Sequence, residues 1–255
     1  MTKVVPILVA LICSLSMNPL PAKGQEQLIF AASSLSSFLP EIINKYDEKY
    51  GLKSNISFSS SGALARQIDR GAPAQIFISA NKRWIAWLVE KDRIKKNSIT
   101  PYISNRLVIA RSHIAPHIKG KSPEELFGSL KKGERIAIGD PSHVPLGIYT
   151  KALLTQLNLW TANKSKFTPM PNASSASKLV DMGAAAMGVI YETDSIQSKK
   201  IQTVYTFSSS DAPQITYWVA IVNKRGTKQP EALLKFLYSK EVLKSWKTSG
   251  FMVLG

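Results

Sequence analysis

Four short segments carry the residue types from which a binding site could be built. They are FAASSLSSF (30–38), FSSSGALAR (58–66), GDPSHVPLGIYTK (139–151) and PNASSASKL (171–179). Each follows an apolar run and precedes a helical pattern. Such junctions present hydroxyls together with the unpaired N–H groups and positive end of a helix. One junction alone is ordinary helix capping, for which Ser, Asn and Asp are the preferred residues. Four in one chain, converging on a cleft, would form an anion site. None has a Lys or Arg among its capping residues. Hydroxyls and backbone N–H groups are mainly donors. They suit a fully deprotonated anion, because a protonated one would need an acceptor for its own hydrogen, and an unpaired buried polar group costs about 1–3 kcal/mol.

Other groups that look chemical have simpler explanations. Asp140 and His143 belong to an Asp-Pro turn ahead of Pro145, where Pro suits a helix start. A carboxylate beside a bound dianion would repel it. His113 and His117 have a ligand-like spacing, but Pro116 lies between them, so no cation site is expected. A secreted hydrolase using a serine of SSSG would need a base within reach. The chain offers three histidines and no G-x-S-x-G elbow. Trp84 and Trp87 read as a helix face against a core.

The elements that would position these segments alternate. EQLIFAAS, NISFS and AQIFISA read as strands. SLSSFLPEIINKYDEKYG, GALARQIDRG and NKRWIAWLVEKD read as helices, with Leu35, Phe38, Leu39, Ile42, Ile43 and Tyr46 at helical spacing. After a connecting stretch the pattern restarts with NRLVIARS, PEELFGSL, ERIAIGD, GIYTKALLTQLNLW, SASKLVDMG, AAMGVIYE and IQTVYTF. It closes with the strand ITYWVAIVN and two helices in PEALLKFLYSKEVLKSWKTSG. The first three strands and helices argue for a parallel sheet with helices on both faces, and the restart predicts two α/β units of alternating strands and helices. Ligands in such folds bind beyond the carboxyl ends of strands and between domains.

Composition sets the surroundings. The chain has 255 residues and 44% hydrophobic residues, enough for a substantial core, and 33 Lys and Arg against 17 Asp and Glu. The lysines are scattered rather than clustered, which argues against nucleic acid and fits a basic surface that draws anions. The first 24 residues have one early lysine, a short apolar run and small residues before a breaker, the layout of a cleavable signal peptide. Cleavage after Ala22 or Gly24 is expected. Cys13, preceded by Ile12, lacks the small neighbour of a lipidation signal. Without the leader the chain has no cysteine, hence no disulfide and no thiol for catalysis.

FAASSLSSFLPEI, SFSSSGALARQIDRGAPAQIFISA, IAIGDPSHVPLGIYTKALL and MGVIYETDS, in this order, resemble the periplasmic molybdate-binding receptors of ABC transporters. The similarity runs from about residue 28 to the C-terminus. It implies a two-lobed type II periplasmic-binding-protein fold with the ligand cleft between lobes. Lobe 1 would comprise residues 25–104 and 217–255, and lobe 2 residues 105–216. The resemblance implies a monomeric, non-enzymatic, periplasmic receptor that needs no cofactor. It would pass molybdate or tungstate to a membrane-embedded permease with its ATPase, and bind no nucleic acid. By motif, the ligand residues would be the hydroxyls of Ser34, Ser61 and Tyr191 and the backbone N–H groups of Leu146 and Ala173, with Ser59 or Ser60 able to share. Leu146 stands where the family's small alanine is familiar, and Ala173 and Ser174 where valine and arginine are. A receptor for another tetrahedral oxyanion such as sulfate is the nearest alternative; the serine hydrolase is the distant one.

Overall fold

Gly51 closes the first long helix in a left-handed conformation and Pro40 sits in its first turn, so this helix is Leu39–Tyr50 (α1). The expected helix start at Ser34 is not met. Ser33–Leu35 form a separate 3-10 turn, with Ser36 N–H bonded to the Ser33 carbonyl, because the Ser-rich head favours local hydrogen bonds over a continuing helix. The computed structural model describes residues 27–115, 119–208, 210–223 and 230–254. The expected signal peptide and His117 lie outside them. No helix among the described residues is long and apolar enough to cross a membrane.

A first group of elements comprises β1 (Gln27–Ala32), α1, β2 (Ser54–Ser59), α2 (Ser61–Asp69), β3 (Ile76–Ser79), α3 (Lys82–Glu90) and β4 (Thr100–Asn105). A second comprises β5 (Leu107–Ser112), α4 (Pro123–Gly128), β6 (Ile136–Gly139), α5 (Pro145–Gln156), α6 (Trp160–Asn163), β7 (Phe167–Met170), α7 (Ala173–Asp181), β8 (Met187–Tyr191), α8 (Glu192–Gln197) and β9 (Ile201–Thr206). The chain then returns through β10 (Ile215–Ile221), α9 (Pro230–Leu237), α10 (Lys240–Thr248) and β11 (Met252–Val253).

The strands form two sheets, ordered β11-β4-β10-β3-β1-β2 and β7-β6-β8-β5-β9. The expected parallel pairing holds for the strands that helices connect and not beyond them. β1, β2 and β3 are mutually parallel, as are β6, β7 and β8, but β10 runs antiparallel to β3 and β4, and β5 antiparallel to β8 and β9. The antiparallel strands are those by which the chain leaves and re-enters a sheet. It crosses at Arg106, between β4 and β5, and is back in the first sheet from Ile215.

Side-chain alternation along the central strands explains the layers. In β1 and β3, Ile29, Ile76 and Ile78 join the core with Leu39, Ile43, Tyr46, Leu233 and Trp246. Their neighbours Phe30 and Phe77 face the other way, onto Leu64, Ile68, Trp84, Ile85 and Leu88. In the second sheet Ile136, Ile138 and Val189 belong to the first cluster, and Val108, Ala137 and Ile190 to a separate one with Val180. Each sheet is therefore covered on both faces, and its strand ends are left at the rim. At one end the helix is pressed against the strand: a Cβ on Gly147 would lie 2.0 Å from the Gly139 carbonyl oxygen. Only glycine lets the first turn of α5 seat this closely on β6.

Candidate functional site

Strand-to-helix junctions and one 3-10 turn meet at the gap between the sheets. From the first sheet's side come Ser33 and Ser34 after β1 and Ser59–Ser61 where β2 enters α2; from the second come Val144–Leu146 at the start of α5, Ala173 at the start of α7, and Tyr191 at the end of β8. Together with Ala32 and Ala80 they line a space of about 10 Å³. That is far below the ~300–1,000 Å³ of pockets for drug-sized molecules and admits only a guest of a few atoms. No charged side chain lines it.

All the residues expected to hold a ligand, Ser34, Ser61, Leu146, Ala173 and Tyr191, border this one space. Their donors differ in how free they are. Asn172 caps α7 through Ser175 N–H at 2.9 Å, and Ser174 N–H reaches Ser33 Oγ at 3.3 Å. The N–H of Ala173, the first residue of the helix, is left toward the cavity. Leu146, the second residue of α5, follows Pro145 and a Val144 cap that accepts nothing through its side chain. Its N–H is likewise a first-turn donor without a helical acceptor. The Leu146 side chain itself belongs to the buried core. Ser60 is the working cap of α2, accepting Ala63 N–H at 3.2 Å, whereas Ser61 Oγ accepts Ala80 N–H at 3.1 Å, which leaves its own proton to give. Ser34 Oγ pairs with Tyr217 Oη at 2.8 Å.

Tyr191 stands apart. It is 1% exposed, and its hydroxyl is buried without a hydrogen-bond partner. Burial pushes its pKa far above the ordinary phenol range, so it remains an O–H donor. An unpaired buried hydroxyl is costly unless something completes it.

The gap is bridged on both flanks. Trp84 Nε1 donates to the His143 carbonyl at 3.1 Å. On the other flank Ser174 Oγ donates to the Ser33 carbonyl at 2.7 Å, and Ser36 Oγ lies 3.4 Å from Ser174 Oγ. Asp140 serves its turn, accepting from Ser142 N–H at 2.8 Å and Ser142 Oγ at 2.6 Å. These bonds hold its carboxyl below the usual range. Neither Asp140 nor His143 lines the cavity. The bridging residues Trp84, Ser33 and Ser174 gave no signal of that role in the sequence.

Three residues beyond Tyr191, Asp194 Oδ2 is buried without a partner, and burial pushes its carboxyl up to about 8. The unfolded carboxyl titrates near ~3.9. Between those values the folded protein keeps a proton that the unfolded chain releases, so stability falls as pH rises and levels off above about 8. Asp194 also borders an open pocket with Ser36, Ser174 and Lys178, which moderates the effect. Asp194→Asn is expected to be about 1–2 kcal/mol more stable than the wild type at pH 8, and level with it near pH 4. Urea denaturation at the two pH values measures this; equal pH profiles would refute it.

Two sheets of this topology, crossed twice by the chain and enclosing a charge-free cleft of donors, define a type II solute-binding protein. The chain belongs to the bacterial extracellular solute-binding protein family, whose model matches residues 28–252. It is 32% identical to the molybdate-binding protein ModA of Escherichia coli (strain K12), over 88% of each chain. It is 33% identical to ModA of Haemophilus influenzae, covering 90% of this chain and 91% of that one. The solved periplasmic molybdate-binding protein of Azotobacter vinelandii shares the fold, with a TM-score of 0.78 and 18% identity, covering 90% of this chain and all of the other (100%).

Proposed function

We propose that the protein is the periplasmic receptor of an ABC transporter, capturing molybdate, and tungstate with it, and handing it to a membrane permease driven by its ATPase. Ser34, Ser61 and Tyr191 donate hydroxyl protons to the oxyanion, and Leu146 and Ala173 donate backbone N–H groups. Residues 25–104 with the C-terminal segment from Ile215 act as one lobe and the intervening residues as the other. The observation that carries this reading is the unpaired, buried hydroxyl of Tyr191 in a cavity lined by donors and no charge. A tetrahedral dianion offers acceptors on every side, and helix ends spread its charge without a buried counter-ion. Two relatives named as molybdate-binding, each above 30% identity, support the choice of ion.

The lobes close as rigid bodies, and the anion favours the closed state because its oxygens reach donors in both. The protein binds and releases its ligand unchanged, with no turnover. Isothermal titration with molybdate, tungstate, sulfate and phosphate tests the assignment. Molybdate and tungstate are expected to bind one per chain, with sulfate and phosphate far weaker. Sulfate binding more tightly than molybdate would reassign the ligand.

A further inference from the structure

Behind Ser34 lies a second layer of polar groups. Ser34 is 3% exposed and Tyr217 is fully buried, their hydroxyl oxygens 2.8 Å apart. Burial holds the Tyr217 phenol far from ionisation, and Ser34 Oγ is the partner within hydrogen-bond distance of its oxygen. A phenol proton turned elsewhere would be buried and unpaired, which costs about 1–3 kcal/mol. The proton therefore points to Ser34. Ser34 Oγ receives it, and its own proton is directed to the cavity. We propose that Tyr217 is a positioning residue that fixes the Ser34 hydroxyl as a donor, and so disfavours anions that carry a proton of their own.

This role rests on the reading that Ser34 holds the oxyanion. It extends beyond the residues that touch the ligand, reaching Tyr217 on β10, by which the chain re-enters the first sheet. A hydroxyl without such a partner can turn either a proton or a lone pair to its neighbour. Held by Tyr217, Ser34 can offer only the proton.

The test is a double-mutant cycle with wild type, Tyr217→Phe, Ser34→Ala and the double variant, each titrated with molybdate and with phosphate at pH 7. Tyr217→Phe is expected to weaken molybdate about tenfold in the wild-type background, the size of one lost hydrogen bond. It should have no further effect once Ser34 is Ala. The ratio of phosphate to molybdate affinity should rise in Tyr217→Phe, because the released Ser34 can accept the proton of monohydrogen phosphate. A packing role would not move that ratio. Equal loss in both backgrounds, or an unchanged ratio, would overturn the proposal. If the wild type prefers sulfate, the ligand assignment fails, but the same cycle run with sulfate still decides the role of Tyr217. A wild type that holds none of these anions removes the site and this role together.

Discussion

Tyr191→Phe is expected to weaken molybdate binding by roughly 10–150-fold while leaving the empty protein as stable as before or slightly more so. The affinity loss is that of one hydrogen bond to a charged acceptor, about 1.5–3 kcal/mol. The stability gain follows because the hydroxyl has no partner in the protein, so its removal strands nothing and relieves a desolvated group. Ser61→Ala should weaken binding by a similar factor but also lower the melting temperature, since Ala80 N–H loses its acceptor. The pair of substitutions thus separates a hydroxyl reserved for the ligand from one shared with the fold. Titration calorimetry and thermal melts on both variants suffice. Undiminished affinity in the two would abolish the proposed site.

Closure should be equally sensitive to a single methyl group. A Cβ on Gly62 would meet the His143 carbonyl oxygen at 2.6 Å and the Trp84 ring at 2.7 Å. Gly62 lies in the first turn of α2 with ordinary helical backbone, so alanine is acceptable to the helix itself. Two groups obstruct it: the carbonyl on the opposite side of the gap, which can retreat only if the lobes part, and the Trp84 ring, which packs on the same side with Leu64 and Ala65. Overpacking of this kind costs about 1–3 kcal/mol, and the share due to the carbonyl falls on the closed state. Gly62→Ala should therefore lose roughly 10–100-fold in affinity. The empty protein should melt somewhat below the wild-type temperature, because the Trp84 ring must shift. Small-angle scattering should show less compaction on adding molybdate than in the wild type. Full compaction with full affinity would mean that the two sides do not meet here.

The fold was legible where periodicity speaks and hidden where it does not. The apolar runs of β1, β3, β6 and β8 and the 3.6-residue stripe of α1 are plain in the sequence, because each is buried on a continuous face. β4, β7, α8 and β11 were not anticipated. β4 and β7 carry a proline each, and β11 has only two residues, so their pairing is decided by neighbours rather than by their own pattern. The direction of β5 and β10 was not legible, since alternation of residue types is the same in parallel and antiparallel strands. The serines and Tyr191 were visible through motif resemblance. Their capping role and their binding role look alike in sequence, because both use the same free N–H groups and hydroxyls. Tyr217 carried no local signal: it matters through a contact with a residue 183 positions away.

The bond from Trp84 to the His143 carbonyl gives the molecule an optical gauge. An indole whose N–H is satisfied across the gap exchanges that partner for water each time the gap opens. Its emission then shifts with the state of the cleft, over that of the chain's other tryptophans, so capture and release can be followed in unlabelled protein.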